Sequence, residues 1–217
     1  ARRVGCRLRH VQCLGGRTDA GRACGTGLGR VVRNDGGTGN FTTVTLGTSA
    51  YEAVYSGQAD FTVSYFAWEG LEAERNGTPM RYFQYTDYGF PDAYSIVING
   101  NQQWLKDHPD EARKFVKAVQ RGYQTAADNP DQAAQDLIDA NPGAFTDEDL
   151  VRESQRMLAA DYMKDANGVV GAQNLETWSG YSGFLFENGL LAGPDGKPLT
   201  QKPDWSEYFT NEYLDAS

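Results

Sequence analysis

Asp60-Phe-Thr-Val-Ser-Tyr-Phe-Ala-Trp-Glu-Gly-Leu-Glu72 is the stretch on which the reading of this chain turns. Phe61, Val63 and Tyr65 alternate with Thr62, Ser64 and Phe66, and a period of two predicts a short strand. The strand runs into Ala67-Trp68-Glu69-Gly70, after which a helical segment opens. Large aromatics and one carboxylate therefore stand just past the carboxyl end of a strand, the edge at which open α/β sheets bind small ligands. Trp68 and Tyr65 offer flat faces to a ring, and Glu69 offers two acceptor oxygens to an amine or ring N–H. The bland alternative is structural: Phe61, Val63 and Phe66 fill the core and Trp68 caps the sheet.

Around this stretch the grammar is that of an α/β protein. Phe41–Leu46 is expected as a strand, with Val44 and Leu46 on one face. Thr48 or Ser49 is expected to cap a helix through Ala50, Val54 and Tyr55 that stops at Gly57. A short helix follows the corner as far as Arg75, Asn76-Gly77 turns, and Met80–Tyr85 reads as a further strand. The β-α-β-α-β order implies a parallel sheet with helices on its faces. Asp87-Tyr-Gly-Phe-Pro-Asp92 breaks the pattern as a crossover, and Tyr94–Ile98 is expected to resume as a strand.

Helices then dominate. Pro109 with Asp110 and Glu111 marks a helix start, and Ala112, Phe115, Val116, Val119 and Tyr123 form one apolar stripe. Asn129-Pro130 opens the next helix, which Asn141-Pro142-Gly143 ends. Thr146–Asp149 is a capping box before Leu150. Asn174–Asn188 is a last helix closed by Gly189, before a loop-rich tail.

Residues 1–30 stand apart, with seven Arg, seven Gly, all three Cys (Cys6, Cys13, Cys24) and a charge of +6, against −15 for residues 31–217. The run Gly25-Thr-Gly27-Leu-Gly29 lacks the spacing and the lysine of a phosphate loop. This segment is expected to contribute little to the fold, reading as non-native sequence such as a shifted frame in GC-rich DNA; a basic nucleic-acid arm is the competing reading.

Composition narrows the chemistry. A net charge of −9 over 217 residues argues against nucleic-acid binding. No run of eighteen apolar residues predicts a membrane span. The cysteines match no zinc pattern. His10 and His108 are the only histidines, and neither assembles a catalytic set, so no catalytic residue, metal or cofactor is expected. Acids such as Asp147-Glu148-Asp149 sit at helix starts, where the helix dipole accounts for them. Twelve tyrosines and a carboxylate beside a cleft, with no reactive group, are the inventory of a binder.

Several segments carry a family resemblance: Tyr55-Ser-Gly-Gln-Ala-Asp60-Phe, Phe66-Ala-Trp-Glu-Gly70, Asp87–Tyr94, His108-Pro-Asp-Glu-Ala-Arg-Lys-Phe115-Val-Lys-Ala, Asn129-Pro-Asp-Gln-Ala-Ala134 and Phe209-Thr-Asn-Glu-Tyr-Leu214. Together they resemble the thiamine-pyrimidine-precursor-binding family of ABC transporter solute-binding proteins. The resemblance implies the two-lobe periplasmic-binding-protein type II α/β fold, closing on a ligand. It places a second lobe at 31–86, a hinge crossover at 87–92, the remainder of a first lobe at 93–190 and a tail, 191–217, returning to the hinge. Family members carry further sequence before this point, so the chain is expected to be a fragment lacking part of the first lobe.

The resemblance also implies an aminopyrimidine ligand, a permease with its ATPase as partners, and an extracytoplasmic address, although no signal or anchor is legible here. The implied site is Tyr65, Trp68 and Glu69 with the hinge residues Tyr88, Asp92 and Tyr94. Trp68 would stack on the ring and Glu69 would read its amino group. Relatives take flavins or sulfonates, which keeps riboflavin or a sulfonate as alternative ligands. Fungal relatives synthesise the pyrimidine, with an active-site histidine and a cysteine-rich segment that find no match after residue 31.

Overall fold

An alternating sequence becomes a strand only where a neighbour completes its hydrogen-bond ladder. The computed structural model describes residues 10–12, 28–30, 32–33, 36–43, 50–94 and 96–215. Among these, the ladder forms for β1 (His10–Gln12), β2 (Thr42–Thr43) and β3 (Phe61–Thr62), a parallel sheet in the order β2-β1-β3. His10 and Val11 pair with Thr42 and Thr43, and Val11 and Gln12 pair with Phe61 and Thr62. The segment 1–30, expected to contribute little, therefore supplies the middle strand, and Leu28 within it is buried. Both findings correct that expectation. The expected Val44, Leu46, Thr48 and Ser49, the Asn34-Asp35 turn, the cysteines and Gly25 and Gly27 lie outside the described residues.

The described residues form two compact units. The first takes those up to Ser64, with Met80–Tyr94 and Leu175–Trp205. It holds the sheet, α1 (Ala50–Tyr55) and a long helix, Leu175–Glu187. α1 is followed by Gly57 at φ +73°, the left-handed conformation that suits glycine. Leu28 packs with Phe41, Phe61, Val63 and Tyr85. A second aromatic group centres on Phe90, whose ring lies 5.2 Å from Tyr85, 5.8 Å from Tyr181 and 4.9 Å from the buried Phe184. Burial there, with the Tyr181 phenol adding to it, pushes the Tyr85 hydroxyl up to about 12.

The expected strands at Met80–Tyr85 and Tyr94–Ile98 do not form: residues 80–84 and 96–98 pair with no strand, and Tyr85–Tyr88 is a 3₁₀ turn. Aromatic content favours an extended chain, but these segments find no partner edge among the described residues.

The second unit takes Tyr65–Pro79 and residues 96–174 and 206–215. The stretch 31–86 thus contributes to both units. In chain order the second unit holds a π-helical turn (Phe66–Gly70), α2 (Leu71–Arg75), α3 (Gln102–Asp107), α4 (Pro109–Asp128), α5 (Pro130–Ala140) and α6 (Glu148–Asp161). The Leu175–Glu187 helix of the first unit is α7. α4 and α5 each begin on proline, where the absent N–H costs no hydrogen bond. α6 starts one residue later than the capping box placed it, with Asp147 accepting from the Leu150 N–H at 3.1 Å. α5 and α6 pack through Ala134, Ile138 and Val151, with Phe145 against them.

The α4 stripe is only partly covered. Ala112 is buried and Val116 and Val119 are half-buried, but Phe115 and Tyr123 are exposed. The C-terminal segment lies along α4: Arg113 Nη1 donates to the Glu212 carbonyl at 2.6 Å, and the Asp215 N–H donates to Gln120 Oε1 at 2.9 Å. Lys117 pairs with Asp215, Asn211 and Gln173 exchange two hydrogen bonds, and Tyr213 is buried. Of the tail expected to return to a hinge, residues 191–205 belong to the first unit and 206–215 to the second.

Candidate functional site

The corner after β3 is a π-helical turn. Leu71 N–H reaches back five residues to the Phe66 carbonyl, a geometry rare in helices and frequent at functional sites. Two residues build it. Glu69 turns its Oε2 back onto the Tyr65 N–H at 2.8 Å while its own N–H donates to the Tyr65 carbonyl at 3.0 Å. The Glu69 carboxylate thus supplies the back-reaching half of a capping box, set one residue further along, while Tyr65 adds no side-chain cap of its own.

Gly70 does the rest. A Cβ there would stand 2.6 Å from Phe66 Cδ2, so only glycine lets the Phe66 ring lie over the turn. Its φ of −63° is ordinary helix, so alanine would gain up to about 1 kcal/mol of helix propensity. Against that stands an overpacking cost of about 1–3 kcal/mol. Gly70→Ala is therefore expected to lower stability by on the order of 1 kcal/mol in urea denaturation, with recovery in Gly70→Ala/Phe66→Ala. Wild-type stability in the single variant would show that the ring swings clear at no cost.

Behind the turn, α2 is held down by two buried side chains, Leu71 and Ala73, and by one guanidinium. Arg75 grips Asp147 with two parallel bonds, Nε to Oδ2 at 2.8 Å and Nη2 to Oδ1 at 2.9 Å, and reaches Glu153 Oε1 from Nη1 at 3.1 Å. A forked pair of this kind fixes orientation as well as distance. Asp147 is also the cap of α6, so one carboxylate ties the corner helix to the start of α6.

The Arg75 hydrogen bond, then the Leu150 N–H, hold the Asp147 carboxyl below the usual aspartate range. A lowered folded pKa contributes stability that is present above the unfolded value and is lost as pH falls through the folded one. Arg75→Met should thus bring the Asp147 carboxyl back towards the ordinary value of about 3.9 in an NMR titration and move acid unfolding to higher pH. An unmoved Asp147 titration would show the clamp to be absent in solution.

Trp68, 37% exposed, lines an open depression of about 210 Å³ with Glu72, Arg75, Asn76 and the segment Ala144–Asp147, which Leu150 closes. Tyr65 is 64% exposed at the start of the turn. The structure thus brings Tyr65, Trp68 and Glu69 together on one corner of the second unit. Tyr88, Asp92 and Tyr94 belong to the first unit. There Tyr88 closes the 3₁₀ turn with its ring 5.8 Å from Phe83, Asp92 Oδ1 accepts from the Ala93 N–H at 2.8 Å, and Tyr94 lies 6.4 Å from Trp178. Sequence reasoning missed Glu72, Arg75 and Asn76. Their offsets of four, seven and eight from Trp68 were the available signal, since those spacings share a helix face. His108 sits between α3 and α4 with its ring 5.1 Å from Trp104. Among the described residues no cluster of His, Cys, Asp or Glu is arranged to hold a metal, and no helix is long and apolar enough to cross a membrane.

The sequence profile of a family described as NMT1/THI5 like matches residues 23–133, half of the chain. The chain belongs to the NMT1/THI5-like family. The matched stretch contains the whole corner from β3 to α2, and it begins inside the segment expected to be foreign to the fold. The chain is also similar to the formylaminopyrimidine-binding protein of Halalkalibacterium halodurans, 27% identical over 144 residues. Those residues are 65% of this chain and 44% of the relative, so the chain spans less than half the length of that protein.

Proposed function

We propose that this protein binds an aminopyrimidine precursor of thiamine as the solute-binding component of an ABC uptake system, outside the cytoplasm, handing its ligand to a permease driven by an ATPase. Membership of the NMT1/THI5-like family and the name of the Halalkalibacterium halodurans relative support the ligand class. The observation that carries the reading is the exposed Trp68–Glu69 corner, built on a π turn just past the end of a strand. In this reading the chain works without chemistry: two lobes close on the ring, Trp68 and Tyr65 supply its faces, and Glu69 accepts from its amino group. Tyr88, Asp92 and Tyr94 line the hinge side. A hydrogen bond to a carboxylate contributes about 1.5–3 kcal/mol and stacking about 0.5–1.5 kcal/mol beyond area.

Calorimetric titration with formylaminopyrimidine and, in parallel, riboflavin tests this. Saturable heat with the pyrimidine alone is expected. Tight riboflavin binding with no pyrimidine binding would overturn the ligand, and heat with neither would overturn the binding reading.

A further inference from the structure

Four asparagines of this chain are followed by glycine: Asn76, Asn99, Asn167 and Asn188. Such a pair carries its own electrophile, the side-chain carbonyl of the asparagine, and its own nucleophile, the backbone nitrogen of the glycine. The approach is open because glycine places no Cβ beside that nitrogen. Whether a pair reacts then depends on whether the glycine N–H is free and whether the backbone can swing it onto the side chain.

Three of the four pairs are locked in turns. The Gly77 N–H donates to the Glu74 carbonyl at 3.1 Å, Gly168 to Asp165 at 2.9 Å and Gly189 to Phe186 at 3.0 Å. The same glycines stand in the left-handed region, at φ +68°, +81° and +64°. Two of the asparagine side chains are held as well: Asn188 Nδ2 donates to the Phe184 carbonyl at 2.8 Å, and Asn167 Nδ2 to Asp165 Oδ2 at 3.5 Å. In these pairs attack has to wait for the turn to open locally.

Asn99-Gly100 is different. Both residues are exposed, in a segment with neither helix, strand nor turn that leads into α3. Among the described residues, neither the Gly100 N–H nor the Asn99 side chain has a hydrogen-bond partner. No turn has to break before the nitrogen can move.

We propose that Asn99 is a site of spontaneous deamidation and backbone isomerisation in the folded protein, selected by the fold from four pairs of the same sequence. The Gly100 nitrogen gives its proton to hydroxide and attacks Asn99 Cγ. The N–Cγ bond forms, the Cγ–Nδ2 bond breaks, and the amide nitrogen leaves as ammonia, taking a proton from water. Water then opens the five-membered imide. Addition at Cγ yields aspartate, and addition at the backbone carbonyl carbon of residue 99 leaves the chain running through the side chain as isoaspartate. Water and hydroxide are the only co-reactants, and nothing is oxidised or reduced. Either product adds a negative charge. Isoaspartate also lengthens the backbone by one carbon just before Asn101, whose Oδ1 caps α3 by accepting from the Trp104 N–H at 2.9 Å.

The full chain is aged at neutral and alkaline pH, folded and in concentrated guanidinium, then digested and mapped by mass spectrometry with fragmentation that separates aspartate from isoaspartate. All four pairs are read in the same sample. In the folded chain Asn99 should convert about tenfold faster than Asn76, Asn167 and Asn188, or more. In guanidinium the four should react within about threefold of one another. The folded rate at Asn99 should rise with hydroxide concentration. Asn99→Gln should remove the fast conversion and leave the other three rates unchanged. Position 99 is the one to change, because a Cβ at Gly100 would stand 2.8 Å from Leu105 Cδ1 and disturb its packing. Conversion at Asn99 no faster than at the three turns overturns the proposal. So does the same order of rates in guanidinium, which would make the flanking sequence and not the fold the selector.

Discussion

Phe184→Ala should cost the first unit about 3–5 kcal/mol, the usual range for removing a buried phenylalanine. The side chain is 5% exposed on α7, and its ring stands 4.9 Å from Phe90 in an edge-to-face arrangement. The Arg30 guanidinium lies over the same ring, 5.6 Å from its centroid. Three contributions disappear together: transfer of the ring, the aromatic pair and the cation over its face. The cavity opens beside Phe90 and hence beside Tyr85 and Tyr181. That neighbourhood gives the experiment a second readout. The Tyr85 hydroxyl is raised to about 12 because it is desolvated, so the variant's phenol should ionise closer to the ordinary value of about 10. The sign is definite. A raised folded pKa keeps its stabilisation below the unfolded value and loses it as pH climbs towards the folded one. Wild-type stability should therefore fall between about pH 10 and pH 12, and the variant should lose that decline. Urea denaturation and an ultraviolet pH titration check the two halves. A cost below about 1 kcal/mol would show that the aromatic group is not a core.

Helix boundaries were legible because their causes are local. Pro109, Pro130 and Gly189 each announce a start or stop through a missing N–H or a left-handed φ of +64°, and the Thr146–Asp149 box announced α6 to within one residue of its Asp147 cap. Strands were less legible because a strand is a relation between segments. Phe61–Thr62 found a ladder through His10–Gln12, three residues inside the segment 1–30, whose arginine and glycine content gave no sign of sheet. Met80–Tyr85 had the better composition and found no ladder among the described residues. The same limit applies to the site. Trp68 and Glu69 stood out as residue types at a strand end. That Glu69 folds back onto the Tyr65 N–H follows from a π turn that no spacing announces. The Arg75–Asp147 clamp joins positions 72 residues apart in the chain. An arginine among acidic residues gives no sign of which carboxylate it will choose.

Trp68→Ala should weaken formylaminopyrimidine binding by about 2 kcal/mol or more, roughly thirtyfold. The indole has a double position in this structure. It is exposed enough to meet a ring, and it walls the depression that Glu72 and Asn76 share. Truncation removes the stacking contribution of about 0.5–1.5 kcal/mol together with the apolar area the ring would cover. It should leave the fold nearly intact, because the corner is held by the buried Leu71 and Ala73 and by the Arg75–Asp147 clamp. Glu69→Gln is the informative companion. A neutral amide can still accept from the Tyr65 N–H that shapes the turn, while its hydrogen bond from a ligand amine is weaker by about 1–3 kcal/mol. Calorimetry on Trp68→Ala, Trp68→Phe and Glu69→Gln, each with its urea midpoint, separates recognition from folding. Phenylalanine should recover part of the affinity, since it keeps a smaller aromatic face. A loss of affinity that tracks the loss of stability across the three variants would make the corner a structural element. Unchanged affinity in both Trp68→Ala and Glu69→Gln would remove it from the site altogether.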